Sequence, residues 1–116
     1  MSNNKKTIEM FMDGFNKADH VQILSCLTDD VVWEMPGFFR HVGKKAFDKE
    51  IENDAFEGRP VITVARMTEE KGVVIAEGIV VTKLKGGNDT PMAFCDVFEM
   101  QSGKISKLIS YIPQAK

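Results

Sequence analysis

Val73-Val74-Ile75-Ala76-Glu77-Gly78-Ile79-Val80-Val81-Thr82-Lys83-Leu84-Lys85, followed by Gly86-Gly87-Asn88 and then by Met92-Ala93-Phe94-Cys95-Asp96-Val97-Phe98-Glu99-Met100, is the stretch that decides the fold. Both runs are rich in β-branched and aromatic residues and alternate with a period of two. The glycines between them suit a tight turn, so the pair reads as a β-hairpin. Turn signals at Glu70-Lys71-Gly72 and Ser102-Gly103 bracket the pair and add a strand on each side. Four strands in hairpin order are therefore predicted at residues 61–67, 73–85, 92–100 and 105–112.

Upstream the period changes. Ile8, Phe11, Met12 and Phe15 stand at helical i, i+3, i+4, i+7 spacing behind the candidate caps Ser2, Asn3 and Asn4. Asp19 with Gln22 resembles a capping box, and Val21, Leu24 and Leu27 continue on one face of a short second helix closed by Thr28-Asp29-Asp30. Residues 31–35 read as a strand ended by Pro36-Gly37, and residues 38–42 as an apolar loop. A third helix starts at Gly43 and carries Phe47 and Ile51 on one stripe. Helices gathered on one face of a curved antiparallel sheet make an α+β domain, and the length of 116 residues suits one domain spanning 1–116.

Composition narrows the function. The formal net charge is −2, with charges of both signs interspersed, which argues against a nucleic-acid partner. No apolar run approaches the roughly 18 residues of a membrane span, and the start, MSNNKKTIEM, is polar, so a cytoplasmic protein without a membrane partner is expected. Cys26 and Cys95 lie in separate apolar segments without metal-ligand spacing and read as reduced, buried small hydrophobes. His20 reads as an exposed first-turn residue and His41 as a loop residue beside Arg40. With no His-x-x-x-His or Cys-x-x-Cys spacing, neither a metal nor a cofactor is expected.

The chemistry rests on two acids. A two-residue turn at Gly86-Gly87 sets Glu77 directly opposite Asp96, a four-residue loop leaves them diagonal on one face, and a three-residue loop puts them on opposite faces. On a shared face each interrupts an apolar row: Val73, Ile75, Ile79 and Val81 around Glu77, and Met92, Phe94, Phe98 and Met100 around Asp96. Two carboxylates about 5 Å apart on a buried face raise at least one pKa and can share a proton, so Asp96 and Glu77 are the candidate catalytic residues. Around them Phe11, Phe15, Trp33, Met35, Phe94 and Phe98, with Leu108, Ser110 and Ile112 brought in by a bulge near Gly103, form a predicted wall for a small hydrophobic ligand. The bland reading of any one of these apolar residues is core packing. The indole N–H of Trp33 needs a partner, which an acid or a ligand could supply.

The segments 18–37, 43–47, 94–98 and 103–105 together resemble the NTF2-like superfamily, in particular its SnoaL-like and ketosteroid-isomerase-like branch. The resemblance implies a cone-shaped, cystatin-like fold with three N-terminal helices on the sheet, and a fold shared by isomerases, polyketide cyclases, epoxide hydrolases and non-catalytic modules. It puts Phe11 where the isomerase has its oxyanion-binding tyrosine and Met35 where it has its general base. Neither side chain does that work, so the standard isomerase constellation is absent. Asp96 matches the family's later acid. Two readings follow: acid-base catalysis of the isomerase or cyclase kind through Asp96 with Glu77, or a non-catalytic binding or dimerisation module. The resemblance also implies a homodimer formed through the sheet, for which the half-apolar row Ile105, Lys107, Ile109 and Tyr111 is the candidate surface.

Overall fold

The computed structural model describes residues 2–52, 56–84 and 86–112. In chain order the elements are α1 (Asn3–Lys17), α2 (His20–Ser25), β1 (Leu27–Met35), β2 (Phe39–Val42), α3 (Lys44–Ile51), β3 (Phe56–Glu70), β4 (Val73–Leu84), β5 (Asp89–Gln101) and β6 (Lys104–Tyr111). The six strands form one sheet in the order β2-β1-β6-β5-β4-β3. The last strand is thus inserted between the first and the fifth. It runs parallel to β1 and antiparallel to β5, so the sheet is mixed and not wholly antiparallel as the hairpin order suggested.

The helices form where the sequence caps them. Ser2 accepts the backbone N–H of Lys5 at 3.1 Å, and Asp19 accepts that of Gln22 at 3.0 Å. Gln22 does not complete a capping box. Its amide reaches back to α1, to the carbonyl of Met10 at 2.8 Å and the carboxylate of Asp13 at 2.9 Å. α2 ends at Ser25, and Thr28, Asp29 and Asp30 are already in β1. Residues 39–42 are a strand and not a loop: the turn at 36–38 folds β2 back on β1, with Trp33 opposite His41.

The two histidines both engage α3. His20 lies between Asp48 and Glu52, 2.5 Å from each, and these hydrogen bonds raise its pKa, the one to Asp48 most. His41 meets Glu50 at 2.9 Å and stacks on Phe39. Neither is a free surface group. On the far side, Asn16 of α1 covers the edge strand β3, donating to the carbonyl of Ile62 at 3.2 Å and accepting its N–H at 2.7 Å.

An aromatic cluster fills the space between helices and sheet. Phe11, 1% exposed, has Phe15, Phe98 and Phe47 at ring-centroid distances of 5.1, 5.5 and 6.0 Å, all edge to face. Phe47 of α3 stacks on Trp33 at 4.5 Å. Cys26 joins this core, whereas Cys95 is half-buried on the opposite face of the sheet and is not a core residue as expected.

Register decides what else faces the helices. β4 pairs with β5 through Ala76 opposite Asp96 and Gly78 opposite Phe94, and the last pair before the turn is Lys83 with Asp89. The two-residue turn expected at Gly86-Gly87 is therefore replaced by a longer connection, and the register differs by one residue from the predicted one. Val74 and Gly78 of β4 oppose the bulky Phe98 and Phe94 of β5, and with the small Ala76 between them they make room for the aromatic cluster. The other row of β4 points away, leaving Ile75 41% and Ile79 45% exposed. A bulge lies between Glu99 and Met100, as expected near Gly103, and brings Leu108 opposite Phe98 and Ser110 opposite Asp96. The same irregularity buries Ile105, which leaves the predicted outward row with Lys107, Ile109 and Tyr111.

Gly78 is fixed by the edge strand. β3 bulges between Val64 and Arg66, and a Cβ at position 78 would stand 1.9 Å from the carbonyl oxygen of Thr63 and 3.0 Å from the backbone N of Ala65. Backbone cannot yield as a side-chain tip can. Gly78→Ala is expected to destabilise the protein by about 3 kcal/mol, read as a lowered urea midpoint. An unchanged midpoint would show that β3 does not press on this position.

Candidate functional site

Asp96 stands in the inward row of β5 between Phe94 and Phe98, with Ala76 on one side and Ser110 on the other. Its surroundings offer little solvation. Burial pushes its pKa up to about 7, and a hydrogen bond with the Ser110 hydroxyl pulls it partly back. Ser110 is 4% exposed and accepts the indole N–H of Trp33 at 3.1 Å. Trp33, Ser110 and Asp96 therefore form a polar line crossing β1, β6 and β5 inside an otherwise apolar layer. The partner that the Trp33 indole required is a serine hydroxyl.

Glu77 does not face Asp96. With Ala76 opposite Asp96, Glu77 falls opposite Cys95 on the outward face, so the two carboxylates share neither a face nor a proton. Its neighbour across β3 is Arg66, which contacts it both as an ion pair and as a hydrogen bond from Nε. Counting back from the Lys71-Gly72 turn sets Arg66 opposite Glu77, so the sequence held this signal. Burial raises the thiol pKa of Cys95, and the charges of Glu77 and Asp96 add to the effect.

A groove of about 500 Å³ opens where β6 runs out between β1 and β5. Met35 and Pro36 form one wall, Ala93, Phe94 and Cys95 the other, and Ser110, Tyr111 and Ile112 the floor, with Glu77 at the outward rim. Four of the predicted wall residues, Met35, Phe94, Ser110 and Ile112, line it. Phe11, Phe15, Phe98 and Leu108 belong to the packed core, and Trp33 reaches the groove only through Ser110. Pro36, Ala93, Cys95 and Tyr111 were not anticipated, because they lie on the outward face or past a strand end and follow no inward alternation.

Chemically, the site sets a carboxyl group that is half protonated near neutral pH behind a serine at the groove floor, and an ion-paired carboxylate at the rim. Among the described residues no group of three or more His, Cys, Asp or Glu side chains could hold a metal ion. No helix among them is long and apolar enough to cross a membrane.

No curated protein matches the chain. Among solved structures, an NTF2-like protein of unknown function from Burkholderia pseudomallei superposes with a TM-score of 0.90 at 16% identity, covering 97% of this chain and 92% of that one. TerC, crystallised with polyporic acid, gives 0.88 at 20% identity over 97% and 92% of the two chains. An LEH-like epoxide hydrolase of M. tuberculosis gives 0.82 at 22% identity over 96% and 83%. These likenesses show the shared fold. The model of the SnoaL-like domain matches residues 8–108, and the chain belongs to that family.

Proposed function

We propose that this protein binds a small apolar carbonyl compound in the groove beside Ser110 and performs acid-base chemistry on it. Asp96, acting through Ser110, serves as the acid and Glu77 as the carboxylate base. The observation that carries this reading is the environment of Asp96: an acid set in an apolar row, with both protonation states populated near pH 7. Glu77, held at the rim by Arg66, has the opposite environment. Two carboxyl groups in contrasting surroundings are what a proton abstraction with matched proton donation requires. In such a step the carboxylate takes the proton from the carbon next to the carbonyl, and the carbonyl oxygen receives one from the acid side. The solved structures named above include an epoxide hydrolase and a protein crystallised with polyporic acid, which fits a fold able to hold small organic molecules.

The test uses 2-tetralone, an enolisable ketone, in deuterated buffer with mass detection. Deuterium uptake next to the carbonyl is expected to exceed the buffer rate and to fall by about a hundredfold in Asp96→Asn and in Glu77→Gln. Uptake at the buffer rate, or uptake unchanged by both substitutions, would reject the acid-base reading.

The same Asp96 makes stability depend on pH. Its folded pKa lies above the unfolded value, so the folded state binds the extra proton. Its contribution is fully present below about pH 4 and is lost as pH rises through about 7. Asp96→Asn, which cannot ionise, is expected to be more stable than the parent at pH 8, by a few kcal/mol, and to lose that advantage at pH 4. Urea unfolding at the two pH values reads the difference. Equal offsets at both would place the ordinary carboxylate pKa on Asp96.

A homodimer through the outward sheet face accompanies this reading. Ile75, Ile79 and Tyr111 are 41%, 45% and 49% exposed there, with Val97 and Ile109 half-buried among them, an apolar surface of the kind that interfaces cover. Sedimentation equilibrium is expected to give twice the chain mass for the parent and the single chain mass for Ile79→Lys. A monomeric parent at high concentration would refute the dimer.

A further inference from the structure

We infer that Ser110 is the group that meets the bound molecule, and that Asp96 stands behind it as a positioning residue which turns the Ser110 hydroxyl proton toward the groove or away from it. The inference rests on the reading that the groove is a binding site and adds what it recognises: a hydrogen-bond acceptor, such as a carbonyl oxygen, on an apolar body.

The geometry is that of a hydroxyl with three neighbours. Ser110 lines the groove, and Asp96 is not among the groove's lining residues. A serine hydroxyl has one proton to donate and two lone pairs to accept with. The indole N–H of Trp33 occupies one lone pair at 3.1 Å. Asp96 lies directly across the strand pair and shares a hydrogen bond with the same hydroxyl. When Asp96 is ionised it can only accept, so the serine proton points to it and the groove is offered no donor. When Asp96 is protonated its O–H donates to the second lone pair. Both lone pairs are then filled, and the serine proton is left with the groove as its only direction. The carboxyl group thus switches the floor of the groove between donating and not donating, without movement of any heavy atom.

Burial suits this arrangement. Ser110, 4% exposed, is the only buried residue of polar or charged type among the described residues. A hydroxyl proton left without a partner in such a place carries a desolvation cost, and an acceptor on the ligand removes it. The apolar neighbours Met35, Phe94 and Ile112 accept the body of the molecule. Asn in place of Asp96 cannot ionise, so the direction of the serine proton no longer changes with pH. It cannot pass a proton on, so binding is retained where turnover is lost.

Two probes of matched shape test this on the full chain: 2-acetylnaphthalene, which carries the acceptor, and 2-ethylnaphthalene, which does not. The ketone is expected to bind about fivefold more tightly at pH 5.5 than at pH 8.5. That dependence should be absent in Asp96→Asn, whose affinity is the same at both, and in Ser110→Ala, which binds weakly at both. Ser110→Thr should restore it. The hydrocarbon should bind alike in every variant at every pH. If ketone and hydrocarbon bind equally with no pH dependence, the switch is refuted while the groove stands. If neither binds, the groove reading fails, and the switch is then decided by the single indole N–H resonance of Trp33. It is expected to shift with the same midpoint as the carboxyl carbon of Asp96 and to stay flat in Asp96→Asn. An indole resonance that stays flat in the parent through the titration of Asp96 would refute the switch.

Discussion

The pairing of Ala76 with Asp96 is the constraint on which the rest of the site depends. A strand alternates its side chains with period two, so a slip of one residue exchanges its entire inner and outer rows. Here the observed pairing turns Val74, Ala76 and Gly78 toward the helices and Glu77 away from them. The small row leaves the volume that Phe94 and Phe98 occupy, and the Phe98 ring in turn seats Phe11 of α1. Gly78 locks the choice, because β3 crosses where a side chain would stand. One register thus sets the core, separates the acids and brings Asp96 beside Ser110.

That separation matters chemically. Two carboxyl groups close together on one buried face couple, and their apparent pKa values belong to the pair. On opposite faces they experience different surroundings. Asp96 loses solvation and gains only one hydrogen bond, which raises its pKa to about 7, while Glu77 gains a guanidinium. The aromatic cluster contributes indirectly. By filling the interior, Phe11, Phe15, Phe47 and Phe98 displace the open space to the end of β6, so the groove meets the polar line at Ser110 and not at the acid itself.

Most of the architecture was legible in the sequence. The three helices, the principal strands and the bulge that aligns Ser110 left clear periodic or turn signals. The register of β4 did not, because both of its rows are apolar: Val73, Ile75, Ile79 and Val81 are as hydrophobic as Val74, Ala76 and Val80, and alternation carries no information when both faces read alike. The glycines invited a tight turn, and the demand for space under Phe94 and Phe98 overrode it. β2 was missed because it is four residues long and its neighbour on β1 cannot be read locally. For the site, Asp96, Ser110, Met35, Phe94 and Ile112 were recoverable from the inward rows. The core fate of Phe11, Phe15, Phe98 and Leu108 depends on how the helices fill the layer, which spacing along a single strand or helix does not encode.

The insertion of β6 between β1 and β5 has a consequence for the order in which the molecule can assemble. β1, α3 and the first helices are synthesised before β3, β4 and β5, and the strand that joins β1 to β5 follows all of them. Until it pairs, β1 with β2 and the hairpins of β3, β4 and β5 are two separate parts of the sheet, each exposing an unpaired edge. The indole of Trp33 likewise waits for a serine 77 positions downstream. Such long-range closure slows folding and leaves a growing chain with open strand edges on the ribosome, a stage at which a chaperone that shields those edges has the most to protect.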